Sequence, residues 1–144
     1  MNIAIVYISP NGTTKITAEL LKKCLERNNS VKLYNLAATS YRENPEDFLR
    51  EIRTMDIVGF GSPVYHMDLL SPVNDFLHFM AVNEKNTYVF KTFLFITYAG
   101  ITTEMSFKKF FFHTRRMNLT ITGAIKIKAP HFHHKDTFPT EETR

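Results

Sequence analysis

Ile3-Ala4-Ile5-Val6-Tyr7-Ile8-Ser9-Pro10-Asn11-Gly12-Thr13-Thr14 changes character halfway along. Its first half is apolar and reads as a buried strand. Its second half is a polar loop that leads into a helical pattern beginning near Lys15. The junction brings free backbone N–H groups and the positive end of a helix dipole together, which suits a phosphate. Gly12 allows close approach of the backbone without a Cβ in the way. The hydroxyls of Ser9, Thr13 and Thr14 and the amide of Asn11 add hydrogen-bonding groups for phosphate oxygens. Taken alone, Asn-Gly reads equally as a turn, with Thr13 or Thr14 as a helix N-cap. The remainder of the chain decides between the two.

Working outward, strand and helix alternate to the end. Strand one is Ile3 to Ser9. A helix follows from about Thr14 to Arg27, with Ile16, Leu20, Leu21, Cys24 and Leu25 as its apolar stripe and Asn28-Asn29 as its stop. Strand two is Val31 to Leu36. Asn44-Pro45-Glu46-Asp47 reads as N-cap, proline at the first helical position and acids in the first turn of a second helix, to about Thr54. Asp56 to Phe60 is strand three, followed by the loop Gly61 to Asp68. Ser71-Pro72 opens a third helix with Val73, Phe76, Leu77 and Met80 inward. Lys91 to Tyr98 is strand four, apolar enough to be buried on both faces. The turn Ala99-Gly100-Ile101-Thr102-Thr103 precedes a fourth helix, Glu104 to Met117. Strand five, Leu119 to Lys128, alternates with period two, placing Leu119, Ile121, Gly123, Ile125 and Ile127 on one side as at a sheet edge.

Repeated βαβ units predict one α/β domain spanning 1–144, a parallel sheet with helices on both faces. Ligands of such sheets sit beyond the carboxyl ends of the strands. Of five glycines, Gly12, Gly59, Gly61 and Gly100 fall at or just past the ends of strands one, three and four. They read as a set converging on one crevice.

The bulk properties agree. The chain has 144 residues, 44% hydrophobic and 22% charged, the values of an ordinary folded domain. No N-terminal signal is visible and no apolar run is long enough for a bilayer, so a soluble cytoplasmic protein with no membrane partner is expected. A single cysteine excludes an internal disulfide and any cluster needing several thiolates within this chain. Cys24 is expected to be a small buried apolar residue. The formal net charge is +4, and Lys108-Lys109 and Arg115-Arg116 share one helix without any nucleic-acid motif, so a solvated face is expected and no nucleic-acid partner. His131-Phe132-His133-His134 lacks a third ligand at useful spacing and reads as a polar loop, not a metal site. No Gly-x-Ser-x-Gly elbow or nicotinamide site is recognisable.

The loops differ in chemistry. Ser9 to Thr14 forms a cradle of hydroxyls and amides. Ser62-Pro63-Val64-Tyr65-His66 offers backbone groups held by a proline, an aromatic ring, and an imidazole placed to hydrogen-bond or to stabilise an anionic ring. Thr97-Tyr98-Ala99-Gly100 offers a second aromatic beside open backbone. A phosphate nest with two aromatic-bearing loops is what a flat, phosphorylated heterocycle requires.

At these residues the chain resembles the flavodoxin family, whose phosphate loop runs Thr/Ser-x-Thr-Gly-x-Thr. Ser9, Gly12 and Thr14 match it, and Asn11 stands where threonine is usual. Phe60-Gly61-Ser62-Pro63-Val64-Tyr65, Lys126-Ile127-Lys128-Ala129-Pro130-His131-Phe132 and Phe138-Pro139-Thr140-Glu141-Glu142-Thr143 make it most similar to the N-terminal flavodoxin-like domain of bacterial proteins that fuse it to a ferredoxin module. The resemblance implies a three-layer αβα fold with a five-stranded sheet of order 2-1-3-4-5, holding FMN for electron transfer rather than acting as a stand-alone enzyme. It assigns Ser9, Asn11, Gly12, Thr13 and Thr14 to the phosphate, and Ser62, Pro63, Val64, Tyr65, His66, Tyr98, Ala99 and Gly100 to the flavin ring. The partner implied is a redox protein, for example one of ferredoxin type. The chain departs from the family in two respects. It is basic, with only Asp68 and Glu104 near the loops where flavodoxins carry an acidic rim. It also ends at Pro139-Thr140-Glu141-Glu142, where a fifth helix begins to read and is then missing or truncated. An exposed apolar face beside strands one, three and five is therefore expected, open to a partner or to a homodimer. The competing readings are a flavin-free interaction or regulatory module on the same fold and a small NAD(P)H-dependent flavin reductase.

Overall fold

The computed structural model describes residues 1–38, 43–83, 88–100 and 103–129. In chain order the elements are β1 (Asn2–Tyr7), α1 (Thr13–Leu25), β2 (Ser30–Asn35), α2 (Pro45–Arg53), β3 (Ile57–Tyr65), β4 (Asp68–Leu69), α3 (Ser71–Asn83), β5 (Lys91–Tyr98), α4 (Glu104–Arg116) and β6 (Thr120–Lys128). Five strands run parallel in the order β2-β1-β3-β5-β6, and two-residue β4 pairs antiparallel with the end of β3. This is the expected five-strand order, with one short strand added that the loop reading of Gly61 to Asp68 did not contain.

The period-two rule sorts β1 between two cores. Ile3, Ile5 and Tyr7 pack with Ala18 of α1, with Val31 and with Phe95. Ala4 and Val6 face the other way, into a larger core built from Leu49 and Ile52 of α2, Val73, Phe76, Leu77 and Met80 of α3, and Phe110 of α4. A central strand covered on both faces has no polar positions, which is why β1 is an unbroken apolar run. Among the described residues one helix covers one face of the sheet and three cover the other, giving three layers. The α2 start is built as its residues suggest, with Pro45 at the first helical position, Asn44 Oδ1 accepting from the Asp47 backbone N–H at 3.5 Å, and Glu46 and Asp47 in the first turn.

Four expectations need correction. Cys24 is exposed. The buried residues of α1, Thr13, Thr14, Thr17 and Ala18, all lie in its first half, while Leu21 and Leu25, further along with Cys24, are at most partly buried. Gly59 and Gly61 lie within β3 rather than in a ligand loop. A Cβ at Gly59 would sit 2.1 Å from the tip of the Phe93 ring, and one at Gly61 2.1 Å from the tip of Phe95. These two glycines make room for phenylalanines crossing from β5. The alternation of β6 is broken, because Thr92 pairs with Ile121 but Phe93 pairs with Gly123, so Thr122 is an extra residue in a bulge. Ile121 thus packs with the larger core, while Ile125 and Ile127 pair with Phe95 and Thr97 on the α1 side. Lastly, the apolar face expected to be open beside strands one, three and five is closed along β1, where Ile3, Ile5 and Tyr7 are buried. Exposure on that side is concentrated at the β6 edge, at Ile125, 50% exposed. The proposed start of a fifth helix and the His131 to His134 segment lie outside the described residues. No helix among the described residues is long and apolar enough to cross a membrane.

The seam between α3 and α4 holds a buried histidine. His113 Nε2 lies 3.2 Å from Asn74 Oδ1, and its Nδ1 has no hydrogen-bond partner among the described residues. The His78 ring stands edge-on at 5.9 Å. Burial pushes the His113 pKa below its ordinary value of 6.5, assisted by the charges of His78, Arg116 and Lys109. The folded chain thus holds His113 neutral, and the unfolded chain takes up a proton first as pH falls. Its contribution to stability is complete above about pH 6.5 and is lost as pH drops from there toward the lowered folded value. His113→Gln keeps a donor for Asn74 and removes the titration. Thermal melts at pH 7.5 and pH 5 are expected to show a smaller loss of Tm for this variant than for the parent. Equal losses would remove His113 from the acid response.

Candidate functional site

The ends of β1, β3 and β5 meet at one edge of the sheet around a cavity of about 460 Å³. That lies within the range of small-molecule and cofactor sites. It is lined by Asn11, Thr13, Pro63, Val64, Tyr65, His66, Thr97, Tyr98, Ala99, Gly100 and Ala129.

The floor is the β1–α1 turn. Gly12 precedes α1 with φ at 86°, the left-handed region where a side chain is strained, and offers no side chain to cap the helix. Ser9 Oγ accepts from the Lys15 backbone N–H at 2.9 Å, and Ile16 N–H reaches Gly12 O at 3.0 Å. The amides of Thr13 and Thr14 have no such partner among the described residues. The first turn of α1 contains no acid, in contrast to α2 with Glu46 and Asp47 and α4 with Glu104. The helix dipole at this end is therefore unopposed and faces the loop. Thr14, fully buried, shares a 2.8 Å hydroxyl–hydroxyl hydrogen bond with Thr97, which ties the helix start to β5.

The walls are aromatic. β3 continues past Phe60 to Tyr65 and reverses at once into β4 through the two residues His66 and Met67, with φ of 50° and 69°. Positive φ at both central residues is what a two-residue hairpin of the primed class requires. Neither residue favours it, which costs roughly 1–2 kcal/mol each. Four contacts hold the turn in place. Ser62 Oγ donates to Pro63 O at 2.8 Å and accepts from Leu70 N–H at 2.9 Å. Ser106 Oγ donates to Met67 O at 3.3 Å, and Lys109 forms an ion pair with Asp68. Tyr65 is thereby presented on one side of the cavity, with Tyr98, half-buried at the end of β5, among its other lining residues. Asn11 Nδ2 donates to Tyr65 Oη at 2.6 Å, joining the first loop to the second. Ala129 N–H bonds to Tyr98 O at 2.8 Å and closes the β6 side.

Nine of the thirteen residues singled out from the sequence line this cavity: Asn11, Thr13, Pro63, Val64, Tyr65, His66, Tyr98, Ala99 and Gly100. The other four stand behind it. Ser9 and Thr14 brace the first loop, Gly12 shapes it, and buried Ser62 braces the hairpin. Thr97 and Ala129 were not among the candidates. Thr97 opens the third loop read from the sequence but was not assigned to the ligand, being near the end of a strand reading, and Ala129 is brought in only by the parallel pairing of β6 with β5.

No family model matches the chain, and no curated protein matches it. Solved structures do. The two-electron reduced flavodoxin of Megasphaera elsdenii superposes with a TM-score of 0.68 at 20% identity, over 86% of this chain and 85% of that one. The fold is that of the flavodoxins. The Trp repressor binding protein of Bacillus subtilis gives a TM-score of 0.71 at 13% identity, over 90% of this chain and 85% of that one. General stress protein 14 of Treponema denticola, solved in complex with FMN, gives 0.68 at 11% identity, over 90% of this chain and 87% of that one. In a flavodoxin fold the cavity described here lies where ligands of open parallel sheets bind, outside the carboxyl ends of the strands.

Proposed function

We propose that this chain is an FMN-binding electron-transfer protein or domain of the flavodoxin type. The observation that carries the reading is a cavity lined by Tyr65 and Tyr98 and by Asn11 and Thr13, beside the uncapped, acid-free N-terminus of α1. The residues present fit the group. A phosphate would be held by the Thr13 and Thr14 amides, the Thr13 hydroxyl and the Asn11 side chain, with the left-handed Gly12 leaving room for it. An isoalloxazine ring would lie against Tyr65 and Tyr98, its polar edge toward the backbone of the Pro63–His66 and Ala99–Gly100 segments. When bound, the flavin supplies the redox chemistry. The protein's part is to bind the cofactor, to orient the ring and to limit water at its faces. The structural neighbour solved with FMN supports the same cofactor.

The test is a visible spectrum of the purified chain with and without added FMN, followed by stepwise reduction and reoxidation. A saturable, resolved flavin spectrum that bleaches and recovers reversibly is expected. A folded chain that leaves the FMN spectrum unchanged would transfer the weight to a flavin-free interaction module on this fold.

A further inference from the structure

The outer face of α4 is not what a merely solvated helix shows. Phe112 is 59% exposed, Phe111 43% and Met105 42%. The helix Glu104–Arg116 carries two lysines, two arginines and one glutamate. Met105 and Phe112, seven residues apart, lie on one side of the helix about 10 Å from each other along its axis. Lys108 and Arg115 run beside them with the same spacing, and the Arg116 guanidinium lies 5.6 Å over the Phe112 ring.

This face is continuous with the rim of the cavity. Ser106, next to Met105, bonds to the Met67 carbonyl, and Lys109 is paired with Asp68. Met67 is 50% exposed and Tyr65 38%, so the apolar surface runs from the cavity wall across the hairpin and onto the helix. Asp68, one of the two acids near the loops, is paired with Lys109, so that pair adds no net charge to the rim. Among the described residues the uncompensated cations of this face are Lys108, Arg115 and Arg116 on α4.

We propose that this surface, the Tyr65–Asp68 hairpin together with the outer face of α4, docks an acidic electron-transfer protein. The inference rests on the proposed function in naming a redox protein as the occupant. Aromatic residues, methionine and arginine are the types enriched at protein interfaces, and truncating one such central residue commonly costs more than tenfold in affinity. A nucleic-acid duplex, whose bases are stacked inside, would engage the cations but leave the phenylalanines and methionines without a matching surface. Surrounding cations steer a carboxylate-bearing partner and set its orientation. A patch of this extent suits a transient encounter, as electron-transfer complexes are. Because Tyr65 belongs both to the patch and to the cavity wall, a partner seated here lies against the ring-binding site.

The experiment uses the full chain, isotopically labelled, titrated with a small acidic ferredoxin as the probe and followed by amide chemical shifts, once without flavin and once with FMN. Saturable shifts are expected, confined to the Tyr65–Asp68 hairpin and the outer residues of α4, with affinity falling about tenfold between roughly 20 and 200 mM salt as the charges are screened. The Lys108→Glu/Arg115→Glu double variant should bind at least tenfold more weakly at low salt, and Phe112→Ser more weakly at both salt concentrations. Both should keep the parent's circular dichroism and FMN affinity. Shifts on another face, no saturable binding, undiminished binding by both variants, or tighter binding of duplex DNA or of phosphatidylglycerol vesicles to this face would each overturn the proposal. Failure of docking with FMN binding intact overturns the surface alone. Docking without FMN binding overturns the cofactor reading alone.

Discussion

Gly61→Ala is expected to destabilise the chain by about 1–3 kcal/mol, the usual cost of forcing extra volume into a packed interior. The new methyl carbon would lie 2.1 Å from the end of the Phe95 ring, and Phe95 is fully buried between the sheet and α1. The ring has nowhere to swing, because the Phe93 ring sits 6.5 Å away on the same face and fills the equivalent place over Gly59. For a domain of this size the loss corresponds to several degrees in Tm. The decisive comparison is Gly61→Ala/Phe95→Leu. Shortening the crossing side chain should recover part of what the methyl costs, so the double variant is more stable than the sum of the two single changes predicts. Additive losses in denaturant titrations would mean that the contact between Gly61 and Phe95 is not the reason for the glycine.

The second large effect concerns the loop before α1. Gly12→Ala puts a Cβ at φ 86°, at roughly 1–2 kcal/mol of backbone strain, and narrows the approach to the helix N-terminus. Thr14→Val removes the hydroxyl that bonds to Thr97 and leaves that buried oxygen without its partner. Hydrogen bonds to a charged group contribute about 1.5–3 kcal/mol each, so displacing two or more from a phosphate weakens binding on the order of a hundredfold or beyond. The double variant is therefore expected to lose FMN affinity on that scale, while its weak affinity for riboflavin, which lacks the phosphate, changes little. Circular dichroism establishes that the variant is folded. Equal losses for both ligands would place the damage in the ring site and not in a phosphate cradle.

What could be read from the residues follows from what is local. The β1–α1 junction is legible because an apolar run, a glycine and clustered threonines each describe a backbone state that neighbours in sequence decide. β5 has the bounds its composition indicates, Lys91 to Tyr98, since a strand covered on both faces is mostly apolar, its two buried threonines, Thr92 and Thr97, both hydrogen-bonded inside. The hairpin was hidden because its positive-φ positions are held by His66 and Met67, with none of the Asn-Gly chemistry that usually marks such a turn. Its supports, Ser106 and Lys109, are distant in sequence. Gly59 and Gly61 invited a ligand-loop reading because their actual neighbours, Phe93 and Phe95, meet them only through strand pairing. The bulge at Thr122 depends likewise on its partner strand, so alternation along β6 alone gave the wrong face to Ile121. Cys24 was misjudged because full burial along α1 is confined to its first half, through threonines and an alanine that do not look like core.

The most direct measurement of the central claim is a pair of fluorescence-quenching titrations of the full chain, one with FMN and one with riboflavin. Saturable quenching, with FMN bound at least a hundredfold more tightly than riboflavin, is the expected result, because the phosphate site at the N-terminus of α1 would supply most of the difference. Equal affinities, or no quenching of FMN by a demonstrably folded chain, would contradict it.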